Sequence, residues 1–344
     1  MSWNNLADNI LCGGRIDREQ ALAVVESPDE ELLDILAAAF RVRRHYHGRT
    51  VRVHVLQNAK SGICPEDCAF CSQSSKFGSP VERYGMQSVE ELVEGARKAY
   101  EMGAMTYCMV TSTRGPSSRE IATVCEAVKI IKDRYPLRIC TSLGILAVGQ
   151  AEVLATAGVD RYNHNLEASQ NFFPNICTTH DYRDRVETVR SAKKAGMEAC
   201  CGGILGMGET KEDWVDLALA LRELEVESVP VNLLNARPNT PLEDQTSIRA
   251  IDGLKALAMF RFVHPDRDVR IAGGREIVLG SLQPLALYAA NSMFTNGYLT
   301  TPGQGPSEDM KMIEEAGFEP FIAQRPDFEP EPCELVAAET DPDA

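Results

Sequence analysis

The sequence predicts an α/β protein: a (β/α)8 TIM-type barrel with an N-terminal helical extension and a disordered acidic C-terminal tail. Short apolar segments typical of strands alternate with amphipathic segments typical of helices, at intervals of roughly thirty residues. Eight strand candidates occur, and eight βα units favour a closed barrel over an open sheet. We expect a helical extension over 1–50, one barrel over 51–320 and a tail over 321–344.

The extension shows helical spacing of its apolar residues. Leu32, Leu36 and Phe40 belong to one such pattern, which predicts a helix there. The preceding residues 27–30, Ser-Pro-Asp-Glu, have the form of a capping box with proline at the first helical position. We therefore expect this helix to begin after Ser27.

The barrel pattern begins where valines start to alternate, as in a half-buried strand. The predicted strands are 51–55, 106–110, 138–142, 160–163, 198–201, 226–232, 269–272 and 291–295. Between them, Ser88, Ser117 and Thr210 each precede an acidic helical first turn, which is typical of a helix N-terminus. Another predicted helix ends at Gly196, since glycine commonly follows a helix.

Composition narrows the functional classes. The chain has 35 Lys and Arg against 50 Asp and Glu, a net charge of −15, which argues against nucleic acid or an anionic membrane as partner. No apolar run is long enough for a membrane span, and the first residues lack the pattern of a secretory signal. We expect a cytoplasmic protein.

Eleven cysteines need an explanation in such a protein. A reducing cytosol seldom keeps structural disulfides, so clustered cysteines there more often bind metal or take part in chemistry. The odd number also fits poorly with a fully disulfide-bonded scaffold.

The strongest motif is CxxxCxxC, formed by Cys64, Cys68 and Cys71 in a loop just after the first predicted strand. Three thiolates hold three irons of a [4Fe–4S] cluster and leave the fourth iron open to a further ligand. Zinc is the alternative, although structural zinc usually takes two pairs of ligands and no second pair lies nearby. A chance triplet is the remaining alternative.

Four dispersed residues form a second candidate site. Cys108, Cys140 and Cys200 fall in the second, third and fifth predicted strands, and Arg270 falls in the seventh. Each side chain has a register that allows it to point into the barrel. Any one cysteine alone is more typical of core packing, but a buried arginine needs an acceptor or anion. Three thiolates and an arginine together are compatible with a [2Fe–2S] site.

With Phe70 before its last cysteine, the CxxxCxxC loop resembles the signature of the radical S-adenosylmethionine superfamily. Within it, the chain resembles the biotin synthase family in a series of ordered segments. These are 107–109, 140–144, 162–166, 200–204, 206–210, 228–232 and 269–276. The resemblance covers about 51–318 and implies a homodimer of (β/α)8 barrels, each with a [4Fe–4S] cluster, a [2Fe–2S] cluster and S-adenosylmethionine.

The resemblance also implies roles for single residues. The [4Fe–4S] cluster would be held by Cys64, Cys68 and Cys71, and the [2Fe–2S] cluster by Cys108, Cys140, Cys200 and Arg270. S-adenosylmethionine would contact Phe70, Asn165, Glu167 and Arg185. The substrate, dethiobiotin, would contact Asn163, Asn165, Asn232, Thr300 and Thr301. Amide side chains suit its ureido ring, because they both donate and accept hydrogen bonds.

Each of these polar residues has a simpler interpretation. The three asparagines are also typical of loops and caps, and Thr300 and Thr301 of an ordinary turn. Arg185 lies on a predicted helix, and from the sequence alone a solvated helix face is the favoured interpretation.

Some positions depart from the family pattern. Glu167 stands where many relatives have aspartate, and Thr106 stands where some have an arginine near the second cluster. The doublet Cys200-Cys201 replaces the commoner Cys-Ser, and only one of two successive strand residues faces the barrel interior. Four cysteines match no motif and are interpreted as free thiols: Cys12, Cys125, Cys177 and Cys333.

The reaction implied by the resemblance is sulfur insertion into dethiobiotin. A 5′-deoxyadenosyl radical would be released from S-adenosylmethionine by one electron, which an external donor of the flavodoxin or ferredoxin class would supply. The second cluster would provide the sulfur. Two rivals remain. One is another radical reaction of the superfamily, such as a hydrogenase-cofactor maturase or a methylornithine-type mutase, and the other is a metal-bound, non-catalytic module, such as an electron carrier or a zinc scaffold.

Overall fold

A closed barrel of parallel strands forms the centre of the computed structural model, which describes residues 2–301 and 303–321. Strand β1 (Thr50–Lys60) pairs with both β2 (Thr106–Thr111) and β9 (Ser292–Phe294), which closes the barrel. Between these lie β3 (Arg138–Ser142), β4 (Arg161–Asn163), β5 (Glu198–Cys200), β6 (Gly203–Leu205), β7 (Ser228–Leu233) and β8 (Asp268–Ile271). The predicted eight-stranded barrel is confirmed, whereas the predicted tail lies outside the described residues except for residue 321.

The fifth barrel position departs from the single predicted strand. It holds two short strands, β5 and β6, which pair in turn with β7 through Cys200 opposite Ser228 and Gly203 opposite Val231. Gly202 lies between them, where an added β-carbon would come within 1.9 Å of the Pro230 carbonyl oxygen. Glycine is required here because the two backbones approach so closely.

The helices cover the outside of this barrel and pack on its apolar outer face. They are α1 (Trp3–Leu11), α2 (Arg18–Glu26), α3 (Leu32–His47), α4 (Val89–Glu101), α5 (Ser118–Arg134), α6 (Gln150–Ala157), α7 (Tyr182–Lys194), α8 (Lys211–Glu223), α9 (Ala250–Val263), α10 (Arg275–Leu279), α11 (Gln283–Ala286) and α12 (Pro306–Glu315). Helix α2 packs against α8 and α9, α3 packs against α9, and α1 packs against α3. A last short strand, β10 (Glu319–Pro320), pairs with the start of β1.

Three of the predicted helix starts have the expected caps. The hydroxyls of Ser88, Ser117 and Thr210 accept hydrogen bonds from the third backbone N–H of α4, α5 and α8, and the acidic residue at that position bonds back to the cap. Each cap satisfies N–H groups that would otherwise lack a partner at the helix end.

The predicted capping box at Ser27 is wrong. The Ser27 hydroxyl donates to the Val24 carbonyl at 2.8 Å, residues Asp29–Glu31 form a 3-10 turn, and α3 begins only at Leu32. Tertiary contacts explain the difference, because the Asp29 carboxylate accepts hydrogen bonds from Arg249 at 2.6 Å and from Lys255 at 2.9 Å. The ion pairs to α9 therefore replace the local cap.

The strands separate an apolar layer from a polar interior. In β1, Val51, Val53 and Val55 belong to the hydrophobic clusters beneath the helices. His54, between Val53 and Val55, and Leu56, directly after Val55, belong to the interior: His54 accepts a hydrogen bond from Arg270, and Leu56 packs on the interior cysteines. This alternation brings the functional side chains into the barrel, since successive strand residues face opposite sides.

Candidate active site

The first group of cysteines lies on the loop that follows β1, residues 61–75, which we name the rim loop. The Cys64 N–H donates to the Gln73 carbonyl at 3.1 Å, and the Ser75 N–H donates to the Cys64 carbonyl at 2.7 Å. The Cys71 N–H donates to the Cys68 carbonyl at 2.9 Å. The loop thus folds on itself, and all three thiols line one cavity at the mouth of the barrel.

The rim thiols are neutral near pH 7. Burial raises the pKa of Cys64 and raises that of Cys71 to about 11. The pKa of Cys68 is raised by its hydrogen bond to Cys177 and by burial. Because a metal binds the thiolate form, metal binding at this loop is coupled to proton release.

Arg185 lies beside the rim loop and not on a solvated face, so the interpretation favoured by the sequence alone is wrong. The side chain on α7 is buried, and its Nη2 lies 3.8 Å from Cys68 Sγ. Its Nη1 donates to the Asn165 carbonyl at 2.8 Å and lies 3.5 Å from Glu167 Oε1. The ring of Phe173 lies under the guanidinium, 5.4 Å from its carbon. These contacts hold a positive charge next to a rim cysteine.

Glu167 occupies a left-handed backbone position, with φ of 69°. Its carboxylate accepts from the Asn165 amide at 3.3 Å, in addition to the contact with Arg185. Burial raises the pKa of Glu167, while Arg185 lowers it in part.

Cys177 contacts the rim loop, although no motif marks it in the sequence. Its Sγ lies 3.9 Å from Cys68 Sγ and 3.3 Å from His180 Nδ1, and His180 also hydrogen-bonds Glu66. The hydrogen bond from Cys68 lowers the pKa of Cys177 to about 4. The ligand atoms of Cys68, Cys177 and His180 lie within 4.8 Å of one another, a spacing suited to metal ligation. Only the folding of 172–180 over the rim loop brings these groups together.

The second group, Cys108, Cys140 and Cys200, forms a buried cluster that we name the interior thiols. Cys108 and Cys140 are register partners on β2 and β3, and Cys140 hydrogen-bonds with both of the other thiols. Arg270 Nη1 donates to Cys200 Sγ at 3.6 Å. The four residues that the sequence singled out in separate strands therefore meet inside the barrel.

Hydrogen bonding and burial keep the thiols of Cys140 and Cys200 protonated. The hydrogen bond with Cys108 is the main cause of the raised pKa of Cys140, and the hydrogen bond with Cys140 is the main cause of the raised pKa of Cys200. Arg270 stabilises the thiolate of Cys200 and opposes this effect in part. Proton release is thus required for metal binding here as well.

The neighbouring Cys201 faces the other way. It is fully buried in the apolar layer outside the barrel with Ala199, Val226 and Val229, whereas Cys200 packs with the interior thiols. The choice of Cys200 from the doublet agrees with this geometry. None of the ten cysteines within the described residues forms a disulfide, and Cys333 lies outside them.

The three predicted asparagines lie between the two thiol groups and have protein partners. Asn163 Nδ2 lies 3.3 Å from Cys200 Sγ, and Asn165 Oδ1 accepts from the Gly202 N–H at 3.1 Å. Asn232 donates to the Gly203 carbonyl at 3.1 Å and accepts from the Gly273 N–H at 2.9 Å. An amide has two N–H donors and two lone pairs, so Asn232 keeps one of each for a ligand.

The predicted threonines close the same space from the C-terminal part of the barrel. Thr300 Oγ1 lies 3.0 Å from Ser72 Oγ of the rim loop. Thr301 exchanges backbone hydrogen bonds with Tyr298, both at 2.9 Å, and so forms a tight turn. Both threonines line the cavity, as do Tyr298 and Leu299.

One cavity of about 310 Å³ joins the two thiol groups. Every predicted site residue lines it: Cys64, Cys68, Phe70, Cys71, Cys108, Cys140, Asn163, Asn165, Glu167, Arg185, Cys200, Asn232, Arg270, Thr300 and Thr301. The arrangement places a partly exposed thiol group at the mouth, a buried thiol group at the bottom and hydrogen-bonding side chains between them. Ligands bound at the two thiol groups would therefore share one space.

Two family profiles match consecutive parts of the chain. Residues 59–221 match the Radical SAM superfamily, and residues 230–319 match the Biotin and Thiamin Synthesis associated domain. The biotin synthase of Salinibacter ruber is 64% identical over 323 residues, which cover 94% of this chain and 90% of that protein. The biotin synthase of Bacillus subtilis is 49% identical over 317 residues, or 92% of this chain and 95% of that protein.

Solved structures share the fold at much lower identity. Methylornithine synthase superposes with a TM-score of 0.82 at 19% identity, covering 92% of this chain and 98% of that one. The FeFe-hydrogenase maturase of Carboxydothermus hydrogenoformans superposes with a TM-score of 0.79 at 17% identity, covering 93% and 79%. Within the described residues, no helix is long and apolar enough to cross a membrane.

Proposed function

The chain belongs to the biotin synthase family of radical S-adenosylmethionine enzymes, which convert dethiobiotin to biotin, and we propose how its residues serve that reaction. The rim loop would hold a [4Fe–4S] cluster, and the interior thiols with Arg270 would hold a [2Fe–2S] cluster. The observation that carries the proposal is the single cavity lined by both groups of cysteines. Sulfur transfer to a substrate requires that cleavage of the cofactor and the sulfur source share one enclosed space.

The donor sets fit the two groups. Three thiols on the rim loop leave one iron of a [4Fe–4S] cluster for S-adenosylmethionine, and the three interior thiols lie beside a guanidinium as fourth ligand candidate. Among the described residues, the Nε atoms of Arg185 and Arg270 are buried without a hydrogen-bond partner. Each arginine thus keeps one N–H donor for an acceptor bound in the cavity. A buried N–H group that never meets an acceptor would be costly.

When bound, the [4Fe–4S] cluster supplies the electron that cleaves S-adenosylmethionine, and the [2Fe–2S] cluster supplies the sulfur. The chain positions the reactants. Arg185, fixed by the Asn165 carbonyl and Phe173, would bind the carboxylate of S-adenosylmethionine beside Cys68. Phe70, Asn165 and Glu167 would contact the rest of that molecule, with Glu167 in the place where many relatives have aspartate.

Dethiobiotin would lie between the cofactor and the interior thiols. The free donor and acceptor of Asn232 suit the ureido ring, and Asn163 lies next to Cys200, where the sulfur source would be. Thr300 and Thr301 would bind the substrate carboxylate at the mouth of the cavity. The depth of Cys108, Cys140 and Cys200 keeps water from the reacting atoms.

Three further properties stay predictions from the family resemblance. The enzyme would be a homodimer, would take electrons from a low-potential flavodoxin- or ferredoxin-class protein, and would work in the cytoplasm.

Product analysis tests the proposed function. The protein is reconstituted anaerobically with iron and sulfide, given dethiobiotin, S-adenosylmethionine and a low-potential reductant, and assayed for biotin and 5′-deoxyadenosine by mass spectrometry. Both products are expected, in a ratio near two deoxyadenosines per biotin. Deoxyadenosine without biotin would move the reaction to another member of the superfamily. Neither product, from protein shown to hold both clusters, would support a non-catalytic binding module.

A further inference from the structure

A second buried arginine lies beside the interior thiols. Arg161 is on β4, is 5% exposed and is the register partner of Cys140 on β3. Paired residues on adjacent parallel strands point to the same side of a sheet, so its side chain enters the barrel beside Cys140. On β2, the position in register with Cys140 is Cys108; Thr106 lies two residues before it, and among the described residues the Thr106 hydroxyl has no hydrogen-bond partner.

One carboxylate joins Arg161 to Arg270. Asp268 Oδ2 accepts from Arg270 Nη2 at 2.8 Å and from Arg161 Nη1 at 3.2 Å. Asp268 is 5% exposed, and its carboxylate also accepts from Ser228 Oγ at 3.0 Å, Ser292 Oγ at 2.5 Å and Asn291 Nδ2 at 3.1 Å. His54 Nε2 lies 4.0 Å from Oδ2 of the same carboxylate. Five hydrogen-bond donors thus converge on one buried acid. Four of them lie on strands β4, β7, β8 and β9, and the fifth, Asn291, directly precedes β9.

The charges around the interior thiols do not cancel. Among the fully buried groups there are two guanidinium ions, Arg161 and Arg270, and one carboxylate, Asp268. Glu198 also pairs with Arg161 at 2.7 Å, but its side chain is 35% exposed and it shares this role with Arg138. His54, which accepts from Arg270 at 3.2 Å, adds no negative charge. One positive charge is therefore left facing the thiols.

We propose that Asp268 is a positioning residue that orients Arg270 and Arg161 at the interior thiols, and that Arg161 supplies the second positive charge of this site. The inference deepens the proposed function and rests on it, because the charge would compensate the thiolates of a bound [2Fe–2S] cluster. An uncompensated buried guanidinium is costly, so two arginines joined by one acid fit a site that becomes negative when loaded.

The reduction potential of the interior cluster separates this role from a merely structural one. A nearby positive charge favours the reduced, more negative cluster and raises its potential, whereas a nearby negative charge lowers it. Arg161→Gln should therefore lower the potential, and Asp268→Asn should raise it. A structural ion pair gives no reason for opposite signs.

The experiment is a redox titration of the anaerobically reconstituted holoenzyme. The absorption and electron paramagnetic resonance spectra of the [2Fe–2S] cluster report its oxidation state at each potential. Each substitution is expected to change the reduction equilibrium constant at least tenfold, about 59 mV for one electron, in opposite directions. Arg138→Gln is the matched control, since Arg138 also pairs with Glu198 but is partly exposed, and it should leave the potential unchanged.

Shifts of the same sign, or unchanged potentials in variants with full iron and sulfide content, would overturn the proposal. If Asp268→Asn folds, by circular dichroism, but holds only the rim cluster while Arg138→Gln holds both, the positioning role is supported and Arg161→Gln tests the charge. If the unsubstituted protein itself holds no second cluster, the proposed function fails. That failure is distinguishable from a failure of the role proposed for Asp268, because no residue has been changed.

Discussion

The rim loop and the interior thiols each bring three cysteines together, but they do so in two different ways. The rim cysteines lie within one short segment whose backbone hydrogen bonds close on themselves, and two of the three are partly exposed. The interior cysteines come from three strands, are all buried and have a charged network beside them. A local site can admit a soluble cofactor, while a site built from the whole barrel keeps its contents from solvent.

The charged residues next to the two groups of cysteines also differ in how they are held. At the rim, Arg185 lies 3.8 Å from Cys68 and is held largely by backbone and ring contacts. In the interior, Arg270 lies 3.6 Å from Cys200 and is tied to a buried carboxylate. We therefore expect the rim group to control binding and cleavage of S-adenosylmethionine, and the interior group to control sulfur transfer.

The largest expected effect comes from two substitutions, one in each group of cysteines, with both reaction products measured for each variant. Cys68→Ala removes one of three rim ligands and should reduce formation of 5′-deoxyadenosine by roughly three orders of magnitude or more, since groups that act as a unit fail together. Cys140→Ala should leave deoxyadenosine formation within about tenfold of the unsubstituted enzyme, because the rim group is intact, but should abolish biotin formation. Both products are measured by mass spectrometry, with iron and sulfide content measured in parallel.

Cys201→Ser is the control for this pair, because Cys201 lies in the outer apolar layer and not in the cavity. It should form both products and hold both clusters. Retention of biotin formation in Cys140→Ala, or loss of cofactor cleavage in Cys140→Ala with a full rim cluster, would contradict the division of labour between the two groups.

A smaller effect is expected at the cation of the rim. Arg185→Met should raise the KM for S-adenosylmethionine by about 10- to 100-fold, since a hydrogen bond between charged groups contributes about 1.5–3 kcal/mol. The kcat should change less, because the cleaved bond is not adjacent to this carboxylate. Initial rates of deoxyadenosine formation at varied S-adenosylmethionine give both constants. Arg183→Met, an exposed arginine on the same helix, should behave as the unsubstituted enzyme; equal KM values for the two variants would refute the role of Arg185.

The smallest effect concerns the stability of the barrel on which both groups depend. Burial lowers the pKa of His264 to about 3 from an ordinary value of 6.5, and its Nε2 donates to the Ala218 carbonyl at 3.0 Å. The unfolded chain thus takes up a proton below pH 6.5 that the folded chain does not. The free energy of unfolding should fall as the pH falls from 6.5 toward 3, by up to ~1.4 kcal/mol per pH unit from this residue.

Urea denaturation at pH 7.5, 6.5 and 5.5 measures this dependence. His264→Gln, which keeps an N–H donor and does not titrate, should show a shallower decline below pH 6.5 than the unsubstituted protein. Identical slopes would show that His264 is not the residue responsible. The measurement also defines the pH range in which the protein stays folded. Within that range, a loss of activity in a cysteine variant is not caused by unfolding.

The two regions also differed in how far they were predictable. The CxxxCxxC motif is visible in the sequence because its ligands lie close along the chain. Strand alternation predicted that only one residue of the Cys200-Cys201 doublet faces the interior, and the resemblance to the family motif assigned Cys200. The burial of Arg185 was not predictable, since helical spacing does not say which helix face meets a distant loop. Asp268, Arg161 and Cys177 carry no motif, and apart from Arg270, which lies on the same strand as Asp268, the partners that matter lie on other strands or loops.

The sequence by itself determined the barrel, the order of its strands and the residue types of both thiol groups. Hydrophobic alternation, capping residues and ligand spacing are local properties, and they act over a few residues. Only the tertiary structure decided that Cys177 lies against Cys68, that Asp29 leaves the predicted cap to pair with α9, and that one carboxylate joins Arg161 to Arg270. Those contacts depend on barrel closure, which sets charges from distant parts of the chain next to each other in a buried space where each must find a partner.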